Sequence, residues 1–206
     1  MNKLSSIVLT ILIITTLLLS PHAASRNIVV LGDSISAAYG INRNEGWVTL
    51  LERKLADEGY TDYKVINASI SGNTTGDGLS RLPSLLSEYQ PAIVLIELGG
   101  NDGLRGYPIS LMENNLLSII NISKKIGSKI LLAGIEIPPN YGDRYTQAFR
   151  KAYTSVAKQS GVSLLPFILE GIATNPQLMQ EDGIHPTAEA QAILLNNVWP
   201  YLQKLL

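Results

Sequence analysis

Five short, almost wholly apolar runs constrain this chain more than any other feature. They are Asn27–Leu31, Tyr63–Asn67, Ala92–Leu98, Lys129–Ile135 and Val162–Pro166. Valine, isoleucine and leucine follow one another in them with little alternation, the pattern of strands buried on both faces of a parallel sheet. Longer segments of helical periodicity separate the runs. Trp47, Leu51 and Leu55 recur at four-residue spacing; Tyr145, Phe149, Ala152 and Val156 follow the three-and-four rule, as do Ala188, Ala192, Leu195, Trp199 and Leu202. Two further helices are predicted at Asp77–Glu88 and Ile109–Lys125, with Gly127 and Gly161 as helix stops. Strand and helix alternating in this way predict an α/β domain: a three-layer α/β/α sandwich with right-handed crossovers.

The 206 residues suit one domain, and no repeat, low-complexity tract or linker divides them. A net charge of −1 gives no electrostatic footprint for nucleic acid. The chain has no cysteine, which excludes disulfides and a thiol nucleophile, and its two histidines offer no motif for a metal site. At the amino end, Lys3 is followed by the uncharged run Leu4–Leu19 and then by Ser20-Pro21-His22-Ala23-Ala24-Ser25. The run is shorter than the roughly 20 residues of a spanning helix. Residues 1–25 are therefore predicted to be a signal peptide cleaved near Ala24 or Ser25, leaving a domain at 26–206. An uncleaved anchor is the alternative. Cleavage implies an exported protein, in the periplasm or outside the cell, with no membrane span and with His185 as its one histidine.

In an open parallel sheet, ligands bind beyond the carboxyl ends of the strands. Chemistry-bearing residues fall there. Gly32-Asp33-Ser34 follows the first run, Ser69-Ile70-Ser71-Gly72-Asn73 the second, and Gly99-Gly100-Asn101-Asp102 the third, while Asp182-Gly183-Ile184-His185-Pro186 precedes the last helix. A serine hydroxyl needs an adjacent base to act as a nucleophile. Ser34 suits that role if Gly32 allows a tight turn and the following helix N-terminus sets positive partial charge beside the hydroxyl. Equally, Asp33 or Ser34 could simply cap that helix. The G-x-S-x-G elbow is absent, because Ser36 stands two after Ser34. Asp182, three residues before His185, can reach the imidazole Nδ1–H and fix its tautomer; a metal-binding pair is the rival reading. Ser34 N–H, Gly72 N–H and the Asn101 amide are candidate oxyanion donors, although Gly72 could serve only a turn and Asn101 only a loop. Asp102 reads as a loop brace.

Taken in order, "GDS", "SISGNTT", "GGND" and "DGIHP" resemble the four blocks of the SGNH subgroup of GDSL hydrolases, and within it the bacterial periplasmic thioesterase and lysophospholipase type. That resemblance spans residues 32 to 186. It implies a flavodoxin-like fold with a five-stranded parallel sheet. It also implies a catalytic triad of Ser34, Asp182 and His185, with Ser34, Gly72 and Asn101 as the oxyanion hole. The implied substrates are small-molecule acyl esters, acyl thioesters or lysophospholipids, cleaved with no metal or organic cofactor. Gly103, Leu104, Arg105 and Tyr107 lie where such enzymes carry a mobile loop over the acyl chain, and Ile137, Pro138, Asn140 and Tyr141 where another lines the acyl groove. Two other functions are compatible with these residues: an esterase for carbohydrate or other polar esters, since fold and triad do not fix substrate, and an exported lipid-binding protein without chemistry.

Overall fold

The computed structural model describes residues 26–206, so the signal-peptide expectation lies outside the described residues. Five strands form one sheet: β1 (Arg26–Gly32), β2 (Tyr63–Asn67), β3 (Ile93–Glu97), β4 (Lys129–Ala133) and β5 (Ser163–Leu165). Every pairing is parallel, in the order β2-β1-β3-β4-β5. This is the flavodoxin-like order. The central strands hold Ile28–Leu31, Ile93–Ile96 and Leu131–Ala133 with no exposed surface, which accounts for their unbroken apolar sequence. On edge strand β2 no residue is fully buried, and its sequence accordingly carries Lys64 and Asn67.

The helices are α1 (Trp47–Asp57), α2 (Thr75–Tyr89), α3 (Gly100–Leu104), α4 (Ile109–Lys125), α5 (Asp143–Ser160) and α6 (Gln191–Leu202). α1 packs with α6 on one face of the sheet, while α2, α4 and α5 pack in a row on the other. At the seam of the first pair, the Trp47 N–H donates to Gln191 Oε1 at 3.0 Å. α2 opens with a capping box, in which Thr74 Oγ1 accepts from the Asp77 N–H and the Asp77 carboxylate accepts from the Thr74 N–H. α5 stops at Gly161, which takes the left-handed cap conformation as its sequence predicts.

Two expectations need correction. No helix follows Ser34: residues 34–40 form consecutive turns, with Ala38 at a φ of 59°, and α1 begins only at Trp47. The segment after Ser34 therefore supplies no helix N-terminus beside the hydroxyl. Conversely, the segment after β3 coils into the one-turn helix α3, so Asn101 and Asp102 are helical rather than loop residues. Chain direction then positions the site. β1 pairs with β2 on one side and β3 on the other, with Gly32 in register with Glu97, so the segments after β1, β2 and β3 emerge side by side.

Candidate active site

Ser34 leaves β1 against a fully packed floor. Gly32 is needed there for space: a Cβ would lie 2.8 Å from both Glu97 Oε2 and the Ser36 side chain. Its φ is not left-handed, so close approach, and not an unusual turn, explains the glycine. Asp33 points inward, only 2% exposed, and its Oδ1 accepts from the Ile35 N–H at 3.1 Å.

Beneath it lies Glu97, with no exposed surface, whose Oε2 accepts from Ser36 Oγ at 2.6 Å and from the Asp33 N–H at 3.3 Å. Its Oε1 is buried without a partner among the described residues. Burial, and then the neighbouring Asp33 charge, holds the Glu97 carboxyl well above the ordinary range. Burial likewise pushes Asp33 up to about 6, against the Ile35 N–H, nearby His185 and the Asn101 amide, which favour its anion.

The imidazole arrives from the other end of the chain. Met179 pairs with Pro186, the Gln180 N–H donates to His185 O at 2.7 Å, and Asp182 and His185 sit at the tip of the resulting hairpin. Gln180 Nε2 ties this hairpin to the turns after Ser34, donating to Tyr39 O at 2.8 Å and to Pro186 O at 2.9 Å. The Tyr39 ring covers the imidazole at a centroid distance of 4.5 Å.

Asp182 Oδ2 lies 2.6 Å from His185 Nδ1, and His185 Nε2 lies 2.8 Å from Ser34 Oγ. Desolvation works to raise the Asp182 pKa, but the His185 side chain and the backbone N–H groups of His185 and Ile184 prevail and lower it to about 2. An ionised carboxylate can only accept, so the Nδ1 facing it carries the proton and Nε2 is left to accept from the serine hydroxyl.

Gly72 has a φ of 81°, a conformation that a side chain would strain. The N–H groups of Ser34 and Gly72 donate to nothing among the described residues. Asn101 Nδ2 reaches the same region and donates to Asp33 Oδ2 at 3.1 Å and to Asn73 O at 3.0 Å. Both amide hydrogens are thus engaged, so donation to a third oxygen exchanges or shares one of these partners. Asp102 stays out of the site: its two oxygens accept from the Thr75 N–H at 2.8 Å and Thr75 Oγ1 at 2.6 Å, bracing α3 against the start of α2.

A cavity of about 530 Å³ opens beside Ser34 and His185. Of the residues expected to bind substrate, Leu104, Ile137 and Pro138 line it, and Gly103, Arg105, Tyr107, Asn140 and Tyr141 do not. Gly103 is a packing residue, since a Cβ there would lie 2.6 Å from Ile137 and 2.7 Å from Phe149. Tyr141 and Tyr107 lace the two loops together: the Tyr141 hydroxyl donates to Leu104 O at 2.9 Å, and the Tyr145 hydroxyl donates to Tyr107 O at 3.0 Å. Arg105 faces the loop after β2 and donates to Gly72 O at 3.0 Å. Asn140 sits in the exposed turn Pro139–Tyr141. The far wall comes instead from Phe167, Leu169, Ala173 and Met179, beyond β5. The strand-end rule applied to β5 was the signal that would have found them. No group of His, Asp and Glu residues suited to a metal occurs among the described residues.

The model of the GDSL-like lipase/acylhydrolase family matches residues 30–193. Esterase TesA of Pseudomonas aeruginosa is 54% identical over 189 residues, covering 92% of this chain and 94% of that protein. The thioesterase 1/protease 1/lysophospholipase L1 of Escherichia coli K12 is 44% identical over 183 residues, covering 89% of this chain and 86% of that protein. The crystal structure of TesA superposes with a TM-score of 0.86 at 54% identity, covering 88% of this chain and all of that one. Those matches agree with the parallel sheet, and this chain belongs to the GDSL-like lipase/acylhydrolase family, as an enzyme that hydrolyses acyl esters.

Proposed function

We propose that the protein cleaves carboxylic esters and thioesters of apolar acyl groups, with acyl-CoA thioesterase, lysophospholipase and arylesterase activities, through a triad of Ser34, His185 and Asp182. His185 Nε2 takes the hydroxyl proton as Ser34 Oγ attacks the carbonyl carbon. The oxyanion rests on Ser34 N–H, Gly72 N–H and Asn101 Nδ2, and Asp182 steadies the imidazolium. Collapse of the tetrahedral species breaks the bond to the thiol or alcohol, which leaves with the proton from His185. Water, deprotonated by the same nitrogen, then releases the acid and restores Ser34.

One observation carries this reading: the continuous contact from Asp182 through His185 to Ser34, at 2.6 and 2.8 Å. The apolar wall of Phe167, Leu169, Ile135 and Ile137 supports an acyl chain as the group bound, in preference to a sugar. Export belongs to the same reading. The basic start and apolar run within residues 1–25 suit a signal peptide that delivers the enzyme to the periplasm, and no helix of the described residues is long and apolar enough to cross a membrane.

Labelling with an organophosphonate ester tests the assignment. Wild-type protein is expected to take up one equivalent at Ser34, and Ser34→Ala to lose both the label and turnover of a chromogenic ester. A label retained at another serine overturns the triad.

A further inference from the structure

Arg81, on the first turns of α2, is half-buried, and its guanidinium makes no ion pair within contact distance among the described residues. Burial lowers its pKa and the charge of Asp77 opposes that, so the cation is kept at a desolvation cost that its hydrogen bonds must offset. Those bonds converge on the site. Nε donates to Asn73 Oδ1 at 2.8 Å, Nη2 to Gly32 O at 3.3 Å, and Nη1 to Ala68 O.

The three acceptors lie in different parts of the machinery. Gly32 is two residues before Ser34, Ala68 opens the loop after β2, and Asn73 directly follows Gly72. The backbone carbonyl of that same Asn73 accepts from Asn101 Nδ2 at 3.0 Å. One planar cation therefore spans the strand bearing the nucleophile, the loop bearing the Gly72 N–H, and the residue that orients the Asn101 amide.

We propose that Arg81 is a positioning residue that sets the oxyanion site, by fixing the Gly72–Asn73 loop, and through it Asn101, relative to Ser34. Its fork geometry matters, because three acceptors in separate directions suit a rigid guanidinium better than the single point charge of a lysine. Arg105 holds the same loop from the solvent side, through Gly72 O, with one exposed bond. Arg81 is the inner and firmer of the two.

The inference rests on the oxyanion role given above to Gly72 and Asn101, and it is tested with Arg81→Ala, Arg81→Lys and Arg81→Met. Active sites are counted by phosphonate titration, and kcat and KM are measured per titrated site on a chromogenic ester. Because removing an oxyanion donor outright costs about 10²–10³ in rate, a displaced one is expected to lower kcat by about 10- to 100-fold with KM nearly unchanged. Binding of a trifluoromethyl ketone, which mimics the tetrahedral species, should weaken in parallel, while binding of the free acid product should not. Millimolar guanidinium should restore part of the kcat of Arg81→Ala and none of that of Arg81→Met, whose side chain fills the space. A kcat per site within threefold of wild type in every variant that folds overturns the proposal. So does a loss confined to KM. Either result with Ser34 still labelled leaves the triad standing, whereas a label elsewhere overturns the triad itself. Where Arg81→Ala does not fold, Arg81→Lys gives the same reading, with a kcat between those of wild type and Arg81→Met expected.

Discussion

Two sets of carboxyl groups flank the same serine, and their environments drive them in opposite directions. Behind Ser34, Asp33 and Glu97 are packed into the end of the sheet, and burial raises both, Asp33 to about 6. In front, the Asp182 side chain is 38% exposed, and hydrogen bonds hold it at about 2. The contrast separates two uses of one functional group. Asp182 is a permanent charge that keeps the imidazole in one tautomer. Asp33 and Glu97 act as acceptors for buried N–H and O–H groups, and their ionisation works against the fold.

Replacing Asp182 by Asn is the most severe way to probe that contrast. The amide keeps the shape but withdraws the charge facing Nδ1, and kcat per titrated site is expected to fall by about 10²–10⁴. A loss under tenfold would erase the distinction between the two sets. Asp33→Ala should act mainly on stability. It strands the buried Ile35 N–H and one hydrogen of the half-buried Asn101, and urea unfolding should show a loss of about 1–3 kcal/mol.

The subtlest effect is in the pH dependence. A carboxyl whose folded pKa is raised favours folding fully below its unfolded value and loses that contribution as pH rises through its folded value. For Asp33 the loss runs from about 3.8 through about 6. Glu97 begins its loss above 4.5. Asp182 has the opposite sign, with stability present above 3.8 and lost as pH falls through about 2. Glu97→Gln keeps an acceptor for Ser36 without an ionisable group. Its stability should match the parent at the acid end and exceed it increasingly toward neutral pH, as followed by denaturation at a series of pH values. Parallel curves would show that Glu97 is not the source of the slope.

The sequence was most legible where one residue type serves one physical need. β1 and β3 are buried on both faces and read as continuous apolar runs, and β2 was delimited to the residue. Ser34, His185 and Asp182 were legible only together, through the order of their blocks at strand ends and the resemblance those blocks carry, because Gly-Asp-Ser taken alone suits a helix cap as well. Glu97 was invisible for the converse reason: it closes an apolar strand, and its partners Ser36 and Asp33 lie 61 and 64 positions away. Phe167 and Leu169 carry no signature that separates a groove wall from ordinary core. The turns after Ser34 passed for a helix start because Gly-Asp-Ser also suits a cap, and local sequence does not record that Ala38 turns left-handed.

Ser34 and His185 are 151 positions apart, and the hairpin bearing the imidazole follows the last strand of the sheet. A ribosome making this protein releases the hydroxyl 151 positions ahead of the imidazole. Until then the growing polypeptide holds the hydroxyl without the imidazole proposed to deprotonate it, and a copy severed ahead of the hairpin is expected to be inert toward esters. Under the proposed triad, activity thus waits on translation through His185.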